Sequence, residues 1–114
     1  MLARQFTLRE TKNFERVEAQ GKMFQSESFG LGFFNREDSE PSRFGFIVST
    51  KISKEAVQRN RIKRALSEAV RYEMAYLKPG HDAVFLAKGV STKKSTDALM
   101  HEVKEALGKA GLTK

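Results

Sequence analysis

The side chains that could act in acid–base or nucleophilic chemistry are few in this sequence. The two histidines, His81 and His101, fall in different predicted elements, and neither has a serine or an acid at a motif spacing. A catalytic site of that kind needs a nucleophile, a base and a group that orients the base. Asp38 and Glu40 form a carboxylate pair without a third ligand or base, so a solvated loop is the better interpretation. The absence of cysteine excludes thiolate nucleophiles and zinc–thiolate sites.

A dense group of basic residues is the strongest chemical signal. The basic segment, residues 59–64, has the sequence Arg-Asn-Arg-Ile-Lys-Arg, and the nearest acid after it is Glu68. Residues 43–64 contain seven basic side chains and one acid, in a chain of formal net charge +7. Such a concentration predicts a polyanionic partner, usually nucleic acid. Arginine binds phosphates and stacks on bases, and Asn60 can both donate to and accept from a base edge or a 2′-hydroxyl.

The composition indicates a small, basic, folded protein. A chain of 114 residues with 39% hydrophobic and 31% charged residues suits one RNA-binding domain, residues 1–114, around one core. The isoelectric point of about 9.9 also favours nucleic-acid binding. The charged N-terminus does not resemble a secretory signal, and no apolar run approaches the ~18 residues of a membrane span. We therefore expect a cytoplasmic protein without a membrane partner.

The basic segment must be positioned by helices and strands, which the periodicity predicts. A first helix should be capped by Thr11 and end at Gly21. Alternating apolar residues predict strand structure over residues 23–34, and a solvated hairpin loop should follow at 35–42. The aromatic and β-branched run at 44–51 predicts a central strand that ends at Lys51.

The longest predicted helix carries the basic segment and starts after a connector at 52–56. At 100° per residue, one apolar stripe should pack on the sheet: Ile62, Leu66, Ala69, Val70 and Leu77. Arg59 falls on the apolar side and should point past the sheet edge. A strand at 82–88 and a last helix capped by Thr96 or Asp97 complete an α+β fold, with helices packed on one mixed sheet.

Several segments together resemble the bacterial ribonuclease P protein subunit: Lys51, residues 57–65, the turn at 77–82 and the strand at 84–88. The resemblance spans nearly the whole chain. It implies a two-layer α/β sandwich with a mixed four-stranded sheet, the element order αβββαβα and a left-handed β-α-β crossover, against the usual handedness. It also implies the protein component of a ribonucleoprotein endoribonuclease, in which an RNA subunit with Mg²⁺ removes the 5′ leader of precursor tRNA. No protein side chain is then catalytic.

The resemblance and the charge distribution also assign binding residues. The predicted RNA-binding set is Arg59, Asn60, Arg61, Lys63, Arg64, Lys51 and Lys54. The predicted leader cleft contains Phe14, Phe34, Lys88 and Arg9, although on residue type alone Phe14 is more often a core residue. Glu18 stands where many family members have a second aromatic residue and Gly32 where some have a tyrosine, and both departures reduce the stacking surface. Thr50 also replaces the first lysine of a common pair.

The resemblance implies two partners, ribonuclease P RNA in a 1:1 complex and the 5′ leader of precursor tRNA. Family members tend to have metal-ion contacts near the RNA-facing surface, but no cofactor or metal is assigned to residues of this chain. A structural RNA-binding protein of the ribosome or of its assembly is the alternative, because it too needs a basic helix on a sheet. A nuclease that acts alone would need a set of carboxylates, and the sequence offers none.

Overall fold

The computed structural model describes residues 2–114 and contains three α-helices and four strands. Their bounds are α1 (Thr11–Gln20), β1 (Lys22–Gln25), β2 (Phe29–Asn35), β3 (Arg43–Ile47), α2 (Ala56–Glu73), β4 (His81–Ala87) and α3 (Thr96–Lys109). Short 3₁₀ turns lie at Arg4–Phe6, Met74–Tyr76 and Gly89–Lys93. The predicted α+β class and element order are confirmed. No helix within residues 2–114 is long and apolar enough to cross a membrane.

The four strands form one mixed sheet in the order β1-β2-β4-β3. β4 is antiparallel to β2 and parallel to β3, so α2 provides the crossover between the parallel pair. The prediction that the strand at 44–51 is central was wrong: β3 lies at the sheet edge and ends at Ile47, which places Lys51 in the following connector. The segment 36–42 is likewise not a hairpin, because β4 lies between β2 and β3.

The main core lies between one face of the sheet and the helices α2 and α3. The predicted stripe is confirmed within α2, since Ile62, Leu66 and Val70 are fully buried against sheet residues that include Phe29 and Phe85. Leu77 is also buried, but it lies beyond the end of α2. The rings of these two phenylalanines meet edge to face with centroids 5.2 Å apart. Each fully buried side chain of this size contributes roughly 1.5–3 kcal/mol, so the core fixes α2 firmly on the sheet.

Helix α1 packs on part of the opposite face. It can approach closely because Gly45 has no side chain: a Cβ there would lie 2.6 Å from the ring of Phe14.

Both predicted helix N-caps were wrong. Glu10, with φ of 65°, occupies the N-cap of α1 without a side-chain hydrogen bond, and the hydroxyl of Ser95 caps α3 by accepting from the N–H of Ala98. Caps depend on local dihedral angles that periodicity does not determine.

Candidate nucleic-acid interface

The predicted RNA-binding residues lie on the first half of α2 and on the connector before it. Arg59 and Arg61 are half-buried there, and the remaining members are exposed. Within residues 2–114, none of the basic members forms an ion pair with an acid: Lys51, Lys54, Arg59, Arg61, Lys63 and Arg64. Their positive charge therefore remains available to an anionic partner.

Arg59 links the helix to the connector that carries two of the lysines. Its Nη1 donates to the carbonyl of Ser53 at 2.8 Å, which holds residues 48–55 against the start of α2. Lys51 and Lys54 are thereby kept beside the basic segment, although β3 itself ends earlier. The guanidinium thus lies against the connector after the edge strand, a contact that the helical wheel did not predict.

Arg61 is directed toward α3 by its neighbours. Its Nε donates to Oε1 of Gln58 at 2.9 Å, and Gln58 in turn donates to the carbonyl of Thr92 at 3.1 Å. Asn60, Arg61 and Arg64 therefore line a groove of about 580 Å³ between the two helices. This α2–α3 groove is completed by Val57, Ala65, Glu68, Tyr72, Thr96 and Met100. The sequence did not predict it, because its two walls are far apart in the chain.

A second concavity of about 370 Å³ lies on the opposite face of the sheet, beside α1. We call it the α1–sheet cleft, and it is lined by Phe14, Val17, Glu18, Gly21, Lys22, Met23, Gly32, Ile47, Val84 and Leu86. Met23, Ile47 and Leu86 are large exposed apolar side chains that the sequence patterns did not single out. They share a face only because β1, β2, β4 and β3 pair in that register.

Of the four residues predicted to form a leader cleft, Phe14 alone is among those lining the α1–sheet cleft. Phe34 packs beside it, with the Arg16 guanidinium 5.1 Å from its ring centroid. Lys88 donates to the carbonyl of Ser26 at 2.7 Å, and Arg9 is exposed just before α1. The structure thus packs Phe14 and Phe34 against the same buried cluster of Leu8, Val17 and Val84, and neither Lys88 nor Arg9 lines the cleft.

A buried carboxylate is the main polar feature that the sequence patterns did not reveal. Asp82 has no exposed surface and accepts four hydrogen bonds, from Arg16, from Arg36 and twice from Arg43, at 2.6–3.0 Å. Burial alone would raise its pKa, but the hydrogen bonds from Arg43 and Arg16 outweigh it, so the pKa lies below the usual value. The Asp82 network joins α1, the 36–42 segment and β3 to the central strand. The sequence signal that could have indicated this network was an aspartate at the start of a predicted buried strand in an arginine-rich chain.

The 36–42 segment is more ordered than the predicted solvated loop. The Arg36 guanidinium donates to both oxygens of Asp38 and to the carbonyls of Glu40 and Pro41. The hydrogen bond from Arg36 lowers the pKa of Asp38. The carboxylate therefore forms a structural ion pair, and the segment is held over the start of β4.

No catalytic set is assembled by the described residues. His101 lies 3.6 Å from the exposed carboxylate of Glu105, and His81 Nδ1 lies 3.1 Å from the carbonyl of Pro79. Across residues 2–114, no group of three His, Cys, Asp or Glu side chains could hold a metal ion.

One known protein family matches nearly the whole chain. The Ribonuclease P family model matches residues 2–111. The chain belongs to the ribonuclease P protein family. A ribonuclease P protein component from Cyanothece sp. is 34% identical over 125 residues, covering 96% of this chain and 95% of the relative. Another, from Clostridium kluyveri, is 36% identical over 112 residues, covering 96% and 97%. The resemblance inferred from the sequence is confirmed.

Solved structures of ribonuclease P proteins share the fold. The Staphylococcus aureus protein superposes with a TM-score of 0.88 at 22% identity, covering 96% of this chain and 98% of its own. The Thermotoga maritima protein gives 0.80 at 24% identity, covering 90% and 96%. The mixed sheet with its three helices is therefore the ribonuclease P protein fold.

Proposed function

We propose that this chain is the RNA-binding subunit of ribonuclease P and assists a catalytic RNA in removing the 5′ leader from precursor tRNA. The observation that carries the proposal is the unpaired basic surface of α2 and its connector. Membership of the ribonuclease P family supports ribonuclease P RNA as the partner, in a 1:1 complex. In this proposal the RNA and the Mg²⁺ that it holds carry out the chemistry, as the family resemblance implies, and the protein supplies binding surfaces.

The role of the basic surface is electrostatic. Exposed lysines and arginines neutralise phosphates and release the counterions condensed on RNA, which makes binding strongly salt-dependent. A fixed positive surface next to the RNA also offsets phosphate repulsion. The RNA should therefore stay folded at a lower concentration of Mg²⁺ and salt. Arg59 and Arg61 also help to fix the shape of this surface, because their hydrogen bonds to Ser53 and Gln58 hold the connector and the helix in one arrangement.

The α1–sheet cleft is suited to the single-stranded leader. Its floor is apolar, with Phe14 as an aromatic platform and with Met23, Ile47 and Leu86 exposed along it. Base–aromatic stacking contributes ~1–3 kcal/mol per base and tolerates any sequence, as a leader-binding surface requires. Because Glu18 and Gly32 supply no ring, Phe14 is the aromatic residue that lines the cleft, with Phe34 beside it.

Reconstitution tests the proposal. Ribonuclease P RNA from the same genome is assayed for precursor-tRNA cleavage at low Mg²⁺ with and without the protein, and we expect cleavage only with it. Lys63→Ala with Arg64→Ala should lower RNA affinity and reduce the slope of log K against log salt by up to about 2, at ~0.9 per duplex phosphate. Both side chains are exposed, so folding should be preserved.

Lys104→Ala with Lys109→Ala is the matched control, because it removes two exposed cations from α3. An unchanged salt slope in the Lys63/Arg64 variant, or an equal change in the control, would refute the role of the basic segment. Purification of the protein with ribosomal RNA and without ribonuclease P RNA would favour the ribosomal alternative instead.

A further inference from the structure

The α2–α3 groove is lined by a stripe of α2 that the core does not use. The stripe consists of Val57, Arg61, Arg64, Glu68 and Tyr72, which follow one another at helical spacing, and Met100 of α3 forms part of the opposite wall. Val57 is 81% exposed and Tyr72 is 61% exposed. Large apolar and aromatic side chains left open beside a basic patch are typical of a binding surface.

The groove has a basic end and an aromatic end. Arg61 and Arg64 lie toward the start of α2, and Tyr72 lies about 12 Å further along the axis, from a rise of ~1.5 Å per residue. The Arg71 guanidinium is 4.7 Å from the centroid of the Tyr72 ring and also pairs with Glu68 at 2.7 Å. The carboxylate that lines the groove is thus engaged by its own helix, and the arginines at the other end have no acidic partner within residues 2–114.

We propose that the α2–α3 groove binds a short unpaired stretch of the RNA partner, with phosphates at Arg61 and Arg64 and a base stacked against Tyr72 beside Met100. This rests on the proposed function and adds a second single-strand site, on the face of the molecule opposite the α1–sheet cleft. An unpaired nucleotide fits because it presents a phosphate and a free base face, whereas a duplex keeps its bases stacked inside.

Charge complementarity favours an RNA strand over a second copy of the chain as the occupant of the groove. In a symmetric dimer the same patch meets itself, which would bring the unpaired Arg61 and Arg64 of both copies together. An RNA strand instead neutralises them. We therefore expect the protein to be a monomer in the absence of RNA.

The sequence lacks tryptophan, so one introduced tryptophan is a clean probe of stacking. Tyr72→Trp and Tyr76→Trp are titrated with in vitro transcribed ribonuclease P RNA while fluorescence emission is recorded. Tyr76 is the matched control because it is 60% exposed on the next 3₁₀ turn and does not line the groove. We expect RNA to quench the emission at position 72 and to leave position 76 unchanged.

Affinity measurements complete the test. Tyr72→Ala should weaken RNA binding about fivefold to 150-fold, from the stacking contribution of one base. Tyr72→Phe should stay within about twofold of the unchanged protein, because it retains the ring, and Tyr76→Ala should not differ. Far-UV circular dichroism checks that each variant is folded.

The outcomes distinguish the two proposals. Unchanged affinity of Tyr72→Ala with unquenched emission at position 72 would overturn the groove site and leave the proposed function intact. Failure of the unchanged protein to bind the RNA would overturn both. A dimer in light scattering that Tyr72→Ala disperses would show that the groove takes a second copy of the chain, and would also overturn the RNA site.

Discussion

Replacing Asp82 with asparagine tests the buried network that joins three parts of the chain to β4. Asparagine has nearly the same shape but one acceptor oxygen. If its carbonyl replaces Oδ1, the bonds from Arg36 Nη1 and Arg43 Nε persist. The bonds that Arg43 Nη2 and Arg16 Nη2 donate to Oδ2 are lost, because an amide NH₂ cannot accept them. Three guanidinium groups are then left without their shared counter-charge.

The magnitude follows from burial and screening. Removing one partner of a fully buried ion pair costs about 3–5 kcal/mol. Here the carboxylate is fully buried, but the Arg16 and Arg43 side chains remain 36% and 31% exposed, so water can solvate them. We therefore expect Asp82→Asn to lower the free energy of unfolding by about 2–4 kcal/mol, a large part of the 5–15 kcal/mol typical of a small protein.

Urea denaturation followed by circular dichroism measures this loss, with an unchanged m-value expected for an intact fold. Asp38→Asn is the matched control, because it also removes a carboxylate bonded to Arg36 but at an exposed position. A loss in Asp82→Asn no larger than that in Asp38→Asn would show that the network does not stabilise the fold.

The pH dependence provides a second check. The pKa of Asp82 is lower in the folded protein than the ~3.9 of an unfolded aspartate. The carboxylate therefore stabilises the fold above about pH 4, and that stabilisation disappears as the pH falls through the folded pKa. The stability difference between the unchanged protein and Asp82→Asn should shrink in acid. A difference that stays constant down to pH 2 would contradict the assignment.

Three smaller changes test the surrounding framework. Glu102→Ala should lower stability by about 1–2 kcal/mol, since its part-buried carboxylate accepts from the backbone and hydroxyl of Ser28; an unchanged urea midpoint would count against that anchor. Gly45→Ala should displace the ring of Phe14, because the added Cβ would lie 2.6 Å from it, and should weaken binding of precursor tRNA more than of mature tRNA; equal weakening would argue against leader contact there. Ser95→Ala should cost ~1 kcal/mol by removing the α3 cap, and no shift in the thermal midpoint would show that the cap is dispensable.

The sequence was most informative about α2. Its apolar stripe and its basic segment are local patterns, and a helix converts spacing directly into faces. The burial of Ile62, Leu66 and Val70 and the exposure of Lys63 and Arg64 were therefore predictable from residue spacing alone. The family resemblance rested on the same segment, where the order of basic and apolar residues is specific, together with Lys51, the turn at 77–82 and the strand at 84–88.

Strand pairing was not predictable in the same way. The run at 44–51 is rich in aromatic and β-branched residues, which is also typical of a central strand, but the sheet has β4 at the centre and β3 at the edge. The amino-acid composition of a strand indicates how well its side chains suit a buried sheet surface. It does not indicate which other strand pairs with it. Pairing depends on contacts between residues far apart in the chain, such as Phe44 with Ala83.

By itself, then, the sequence determined the family, and through net charge and periodicity it predicted a polyanionic partner for the basic face of α2. The tertiary structure decided where the concave surfaces are. It brought Met23, Ile47 and Leu86 onto one face of the sheet, closed the α2–α3 groove with Met100, and gathered three arginines around Asp82. The physical reason is that charge and helical periodicity are local properties of the chain, whereas a cleft or a buried ion network exists only after distant segments have packed together.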